Sequence, residues 1–129
     1  DGTVSYVRGE RRDISDDLYR LAPANANVGI TYRRAAWEVG AKISAYARQD
    51  KVSLTNDESE TPGYAIVGTQ IAWQASDALR LEARVDNLFD RHYADHLAGG
   101  NRAVGSEIDI GERLPGAERS LMIGAILTF

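Results

Sequence analysis

The chain has 129 residues, a net charge of −4, 26% charged residues and no cysteine. That length suits one domain. The balance of charge argues against disorder and against a nucleic-acid partner, and the lack of cysteine excludes a disulfide framework, a zinc finger or a thiol nucleophile. No window of about 18 uncharged apolar residues occurs, so no transmembrane helix is expected, although membrane strands carry a much weaker signal. The opening "DGTVSYVRGE" has neither Met nor an apolar signal core and reads as a piece that begins in mid-protein.

Six segments alternate with the period of two that puts successive side chains on opposite faces of a strand. The first is Thr3 to Arg8, with Val4 and Tyr6 on one face. The second, about Ala24 to Arg33, aligns Ala24, Ala26, Val28, Ile30 and Tyr32. The third, about Trp37 to Arg48, sets Trp37, Val39, Ala41, Ile43, Ala45 and Ala47 against Glu38, Gly40, Lys42, Ser44, Tyr46 and Arg48. The fourth is Tyr64 to Gln74, with Ala65, Val67, Thr69, Ile71 and Trp73 on its apolar side. The fifth, Leu79 to Asp86, places Leu79, Leu81, Ala83 and Val85 opposite Arg80, Glu82, Arg84 and Asp86. The sixth is Leu121 to Phe129, where Leu121, Ile123, Ala125, Leu127 and Phe129 share one wholly apolar face. In "DNLFD" the alternation fails, which marks a bulge or a strand end.

The connections sort by length. Those after Arg33 and after Gln74 are short, whereas "GERRDISDDLYRLAP", "DKVSLTNDESETP" and the stretch from about Ala94 to Glu118 are long and polar. Short turns on one rim and long loops on the other are the pattern of an outer-membrane barrel. The aromatics fall into two bands: Tyr32, Trp37, Trp73 and Phe129 beside the short turns, and Tyr6, Tyr46, Tyr64, Phe89 and Tyr93 near the long loops. Such bands match interfacial girdles, with Tyr46 and Tyr64 on inward parity and so lining the pore. The ladder Arg80, Glu82, Arg84, Asp86 must face water, because a cation at mid-bilayer costs roughly 2–4 kcal/mol. The expected fold is all-β: an antiparallel transmembrane β-barrel fragment of about six up-and-down strands.

"VDNLFDRHYADHL", followed by "GERLPGAERSLMIGAILTF", resembles the C-terminal end of TonB-dependent outer-membrane receptors. "YVRGE", "LYRLAP" and "ETPGY" resemble preceding strands of that family, and "HLAGGNRA" with "GERLPG" resembles its copper-receptor branch. The resemblance makes Asn87, Leu88, Phe89, Asp90 and Tyr93 the family motif of the penultimate strand. It makes Phe129, with Leu127, Ala125, Ile123 and Leu121, an assembly signal read by the barrel-assembly machinery. It implies that residues 1–129 are the C-terminal part of the receptor barrel, the last six strands of about 22. The plug domain and the contact with the TonB complex would lie outside this chain. The implied function is energy-coupled uptake of a scarce metal or metal complex, copper or a ferric siderophore, across the outer membrane of a Gram-negative bacterium. Outer-membrane lipid and lipopolysaccharide are expected partners, and no cofactor is expected.

Within that frame His92 and His96, with three residues between them, form a candidate metal pair. The competing reading is two unrelated rim residues, since soft ligands are scarce: no Cys and one Met. Arg102, Arg113 and Arg119 are candidate contacts for an anionic ligand or lipopolysaccharide phosphate, against ordinary solvated loop charge. Asp50, Asp57, Glu58 and Glu60 lack the glycine of an EF-hand loop and read as solvated. Gly99 and Gly100 read as a flexible turn, with no phosphate-binding pattern around them.

Two other functions compete with a receptor. An outer-membrane hydrolase would draw on Asp90, His92, Asp95 and His96, but no nucleophile motif accompanies them. A structural translocation barrel of the autotransporter kind does not account for the long loops or the Asn-Leu-Phe-Asp segment.

Overall fold

A computed structural model describes residues 1–129. Six strands form one antiparallel sheet: β1 (Gly2–Ser5), β4 (Asn25–Arg34), β5 (Trp37–Tyr46), β6 (Tyr64–Gln74), β7 (Leu79–Asp86) and β8 (Ser120–Leu127), neighbours in that order. A separate two-residue hairpin, β2 (Glu10–Arg11) with β3 (Asp16–Asp17), stands in the first long loop. A 3₁₀ turn, Leu54–Asn56, stands in the second. No helix is long and apolar enough to cross a membrane.

The outward parity holds across the sheet. At the short-turn end Trp37, Trp73, Leu81 and Ala125 stand side by side. The next level is Tyr32, Val39, Ile71, Ala83 and Ile123, and the one beyond it Ile30, Ala41, Thr69, Val85 and Leu121. Val28, Ile43 and Val67 follow, then Ala26, Ala45 and Ala65. With Leu79 and Leu127 beyond the first of these, six levels of mostly apolar side chains make one continuous band. Ile30 is 72% exposed and Ile123 79%. Such a face is unsuited to water, and it covers no core of its own: the buried apolar residues are only Val52, Tyr64 and Ala72. The sheet's stability must come from what the band meets.

Strand bounds differ from expectation mainly at the ends. β1 stops at Ser5, before Tyr6 to Arg8, and β5 stops at Tyr46. β8 spans Ser120–Leu127, leaving Thr128 and Phe129 beyond it. Phe129 is therefore not a strand residue, and its ring is fully exposed. β7 ends at Asp86, so the break in alternation is a strand end. Asn87 and Asp90 both adopt left-handed backbone (φ 49° and 51°), conformations that Asn and Asp tolerate better than most residues. The short turn at Ala35 also has positive φ (50°), as a tight hairpin requires.

β1 and β8 each leave one edge unpaired. Together with the bare outer band, these edges make the isolated chain prone to association. Expressed alone in plain buffer, the 129-residue chain is expected to precipitate or oligomerise. A sharp monomeric sedimentation boundary would contradict the outward assignment of the apolar face.

Candidate functional site

The opposite, concave face carries the polar residues. Near the short turns Glu38 accepts from Arg33 Nε at 2.8 Å and faces Arg80 at 3.7 Å. Arg84 Nε donates to Asp86 at 2.9 Å. The expected ladder Arg80, Glu82, Arg84, Asp86 is on this face, in register with Gln74, Ala72 and Gln70 on one side and Ile126, Gly124, Met122 and Ser120 on the other. A hollow of about 750 Å³ runs along the wall, lined by Asn27, Lys42, Ser44, Gln70, Arg84 and Asp86 among others. Lys42 has Gly29 and Gly68 as its neighbours across β4 and β6, and the carboxylates of Asp1 and Asp86 lie over those two glycines. This surface offers donors and acceptors of both signs to whatever occupies the lumen.

At the long-loop end three tyrosines close the wall. Tyr46 stacks on Tyr64 (4.7 Å between centroids) and Tyr64 on Tyr93 (4.5 Å). Tyr93 does not join the outer girdle that its sequence position implied. Its ring instead lies where a Cβ on Gly116 would sit, 2.2 Å away, so only glycine fits there. Gly116 N donates to Tyr93 O at 2.6 Å. Tyr6 and Phe89, 71% and 75% exposed, remain as the outer aromatics of that rim.

The three long loops, 6–24, 47–63 and 87–119, are tied into one assembly. Asp16 from the first accepts from Ser53 Oγ (2.7 Å), Thr55 Oγ1 (2.6 Å) and Leu54 N (2.9 Å) in the second. Glu58 accepts from Arg20 N and Ser53 N, each at 2.9 Å, and contacts His96 Nε2 at 3.1 Å. His96 Nδ1 lies 2.9 Å from Thr61 Oγ1. Arg113 completes the tie, donating to His96 O (2.8 Å) and to Ser59 O and Oγ (2.9 Å each). One carboxylate therefore touches all three loops.

Two side chains in this cluster titrate away from their ordinary range. The hydroxyls of Thr55 and Ser53 hold the Asp16 carboxyl well below it. Burial holds the His96 imidazole below the usual histidine value, outweighing the pull of Glu58. The unfolded chain protonates His96 near pH 6.5, before the folded cluster does. Loop order is thus at full strength above that pH and declines as pH falls through it. Asp16 acts in the same direction lower down, as pH drops below its unfolded value near 3.8 and towards its depressed folded one. Hydrogen exchange in 53–58, corrected for intrinsic rate, is expected to be faster at pH 5.5 than at 7.5. In His96→Gln that difference should vanish; its persistence would place the titrating group elsewhere.

The residues singled out in the sequence meet different fates. His92 is exposed while His96 is buried with both ring nitrogens engaged, so the structure does not bring the pair together. No group of three or more His, Cys, Asp or Glu side chains gathers as for a metal ion. Arg113 spends its guanidinium on the loop tie, whereas Arg102 and Arg119 are exposed, with Arg119 N donating to Asp90 Oδ1 at 2.8 Å. Glu58, read as solvated, is the buried hub, its side chain 4% exposed. Thr61, His96 and Glu58 place hydroxyl, imidazole and carboxylate in series, but Thr61 and His96 are each 3% exposed, leaving no room for a substrate. The proposed hydrolase residues do not converge: Asp95 Oδ1 accepts from Leu97 N, and Asp90 is taken by Arg119.

Residues 1–88 match the family described as TonB dependent receptor-like, beta-barrel. The chain belongs to that family. It is 31% identical over 106 residues to the vitamin B12 transporter BtuB of Vibrio vulnificus (strain YJ016), covering 79% of this chain and 16% of that protein. Among solved structures it is similar to the copper transporter OprC, with a TM-score of 0.88 over 99% of this chain and 21% of that one. At 22% identity that likeness is one of fold. The chain thus spans a small part of either relative. In this member of the TonB-dependent receptor family the match ends at Leu88, inside the Asn87-Leu88-Phe89-Asp90 turn. Asn87 earns its place there structurally: it is 4% exposed, donates to Arg91 O and Ala117 O, and accepts from Arg91 N. The motif therefore pins the start of the third loop to its end.

Proposed function

We propose that the chain forms six consecutive wall strands and three extracellular loops of a TonB-dependent transporter in the outer membrane of a Gram-negative bacterium. The observation that carries this reading is the apolar outer band set against a charged, hydrogen-bonding inner wall, in a chain of this family. The strands are the last six of about 22, and the plug and the TonB contact lie outside the chain. The cargo is a scarce metal or metal complex. The names of the similar proteins, a vitamin B12 transporter and a copper transporter, support that class. Within it, copper and a ferric siderophore are the finer readings that the resemblance favours. The reading is tested by deleting the gene and measuring uptake of cobalamin, copper and ferric siderophores, with and without the membrane proton gradient. Loss of one gradient-dependent uptake is expected, and unchanged uptake of all three would overturn it.

Phe129, with the outward-facing Leu127, Ala125, Ile123 and Leu121, is assigned to barrel assembly through the assembly machinery. It lies at the short-turn rim, far along the wall from the loop cluster, and no polar site surrounds it. Phe129→Asp in the full-length receptor is expected to lower its amount in the outer membrane while leaving binding per inserted molecule unchanged. Normal abundance with weakened binding would contradict the assignment. Arg102 and Arg119 remain open to an anionic ligand or to lipopolysaccharide phosphate.

A further inference from the structure

Two consecutive arginines end β4. Arg33 points inward and pairs with Glu38 at 2.8 Å. Arg34, by strand parity, points outward, in register with Trp37. It is exposed, and no carboxylate of this chain lies within ion-pairing distance of it. Along the paired outward positions of β4 to β8 every other residue is uncharged, so Arg34 is the one charge on the whole outer band.

Its position on that band is at the last residue before the turn. Directly across the hairpin, Trp37 stacks on Trp73 (5.5 Å between centroids, 11° between planes), and Tyr32 lies one outward position deeper along β4. Tryptophan and tyrosine settle at headgroup depth, with an apolar ring towards the chains and a polar edge towards water. An arginine stem lies readily along apolar surface while its head reaches the interface. The guanidinium then presents a planar fork of donors at the depth of lipid phosphates and matches their oxygens bidentately. No acid of this chain neutralises it there, since parity sends Glu38 to the other face.

We propose that Arg34 and the Trp37–Trp73 pair form a binding site for the phosphate of a phospholipid headgroup in the leaflet at the short-turn rim. The site rests on the reading of the chain as a membrane-barrel wall. It makes this rim more than a passive belt: one lipid is held in place against the β4–β5 hairpin.

The full-length receptor is purified in detergent, titrated with phosphatidylglycerol, and its retained lipid counted by native mass spectrometry. The wild type is expected to hold one more phosphatidylglycerol than Arg34→Gln under the same activation. With diacylglycerol, which has the same chains and no phosphate, the two should not differ. Arg12→Gln, at an exposed arginine in the loops of the opposite rim, should behave as the wild type. Equal retention by Arg34→Gln and the wild type, or an equal loss in Arg12→Gln, would overturn the proposal. A second measurement separates this from the barrel reading itself. Tryptophan emission attributable to Trp37 and Trp73, taken by difference from the doubly Phe-substituted receptor, should be quenched by brominated acyl chains in wild type and Arg34→Gln alike. Quenching without a lipid difference overturns only the headgroup site, and absence of quenching overturns the outward membrane face as well.

Discussion

Val85→Arg in the full-length receptor is expected to abolish most of its assembly into the outer membrane, while Arg84→Ala leaves it nearly intact. The two positions are adjacent but face opposite ways. Val85 stands at the fourth of six levels on the apolar band, between Thr69 and Leu121, and so near mid-height. A cation there costs roughly 2–4 kcal/mol relative to an apolar residue. Arg84 faces the hollow, and its loss removes one ion pair with Asp86 whose partners are 56% and 39% exposed. A pair so exposed contributes at most about 1 kcal/mol. Heat-resistant folded receptor, counted on gels of isolated outer membranes, is the readout. Equal amounts of the two variants would mean that the faces are assigned the wrong way round.

Glu58→Ala should loosen all three long loops together. Its carboxylate is the shared acceptor for Arg20 N, Ser53 N and His96 Nε2. Ser53 N and His96 Nε2, the two buried donors, each cost about 1–3 kcal/mol when left without a partner, less what water regains as the loops part. Hydrogen exchange is expected to speed up around Arg20, through 53–58 and around His96, with β5 to β7 unaffected. Glu58→Gln keeps one carbonyl acceptor and should fall between. Were only the second loop to loosen, the loops would be independent and Glu58 a local turn residue. Because the cluster is sealed rather than open, loss of Glu58 acts through loop order and not through a lost ligand contact.

The wall was legible because membrane strands repeat a short-range code. β6 and β7 have the bounds that alternation predicts, and Arg80 to Asp86 face as the cost of buried charge requires. The loop assembly was not legible, since its bonds join residues such as Asp16 and Thr55 or Glu58 and His96, far apart in sequence and without periodicity. Glu58 looks like any acid in "NDESE" until the fold surrounds it. The hairpin β2–β3 was missed for a related reason: two polar residues per strand show no alternation. Tyr93 was misplaced because its partner is an absence, the missing side chain of Gly116. That cue becomes visible only once Asn87 has folded the third loop back.

The stacked indoles of Trp37 and Trp73 are the chain's two tryptophans. Parallel chromophores at that separation couple optically, and the coupling depends on β5 and β6 being in step. A slip by one residue would send one ring to the opposite face and uncouple them. An exciton signal between the two indoles in circular dichroism, expected to disappear in Trp37→Phe, would serve as an internal gauge of strand alignment, readable while the barrel is still being built and before any ligand is present.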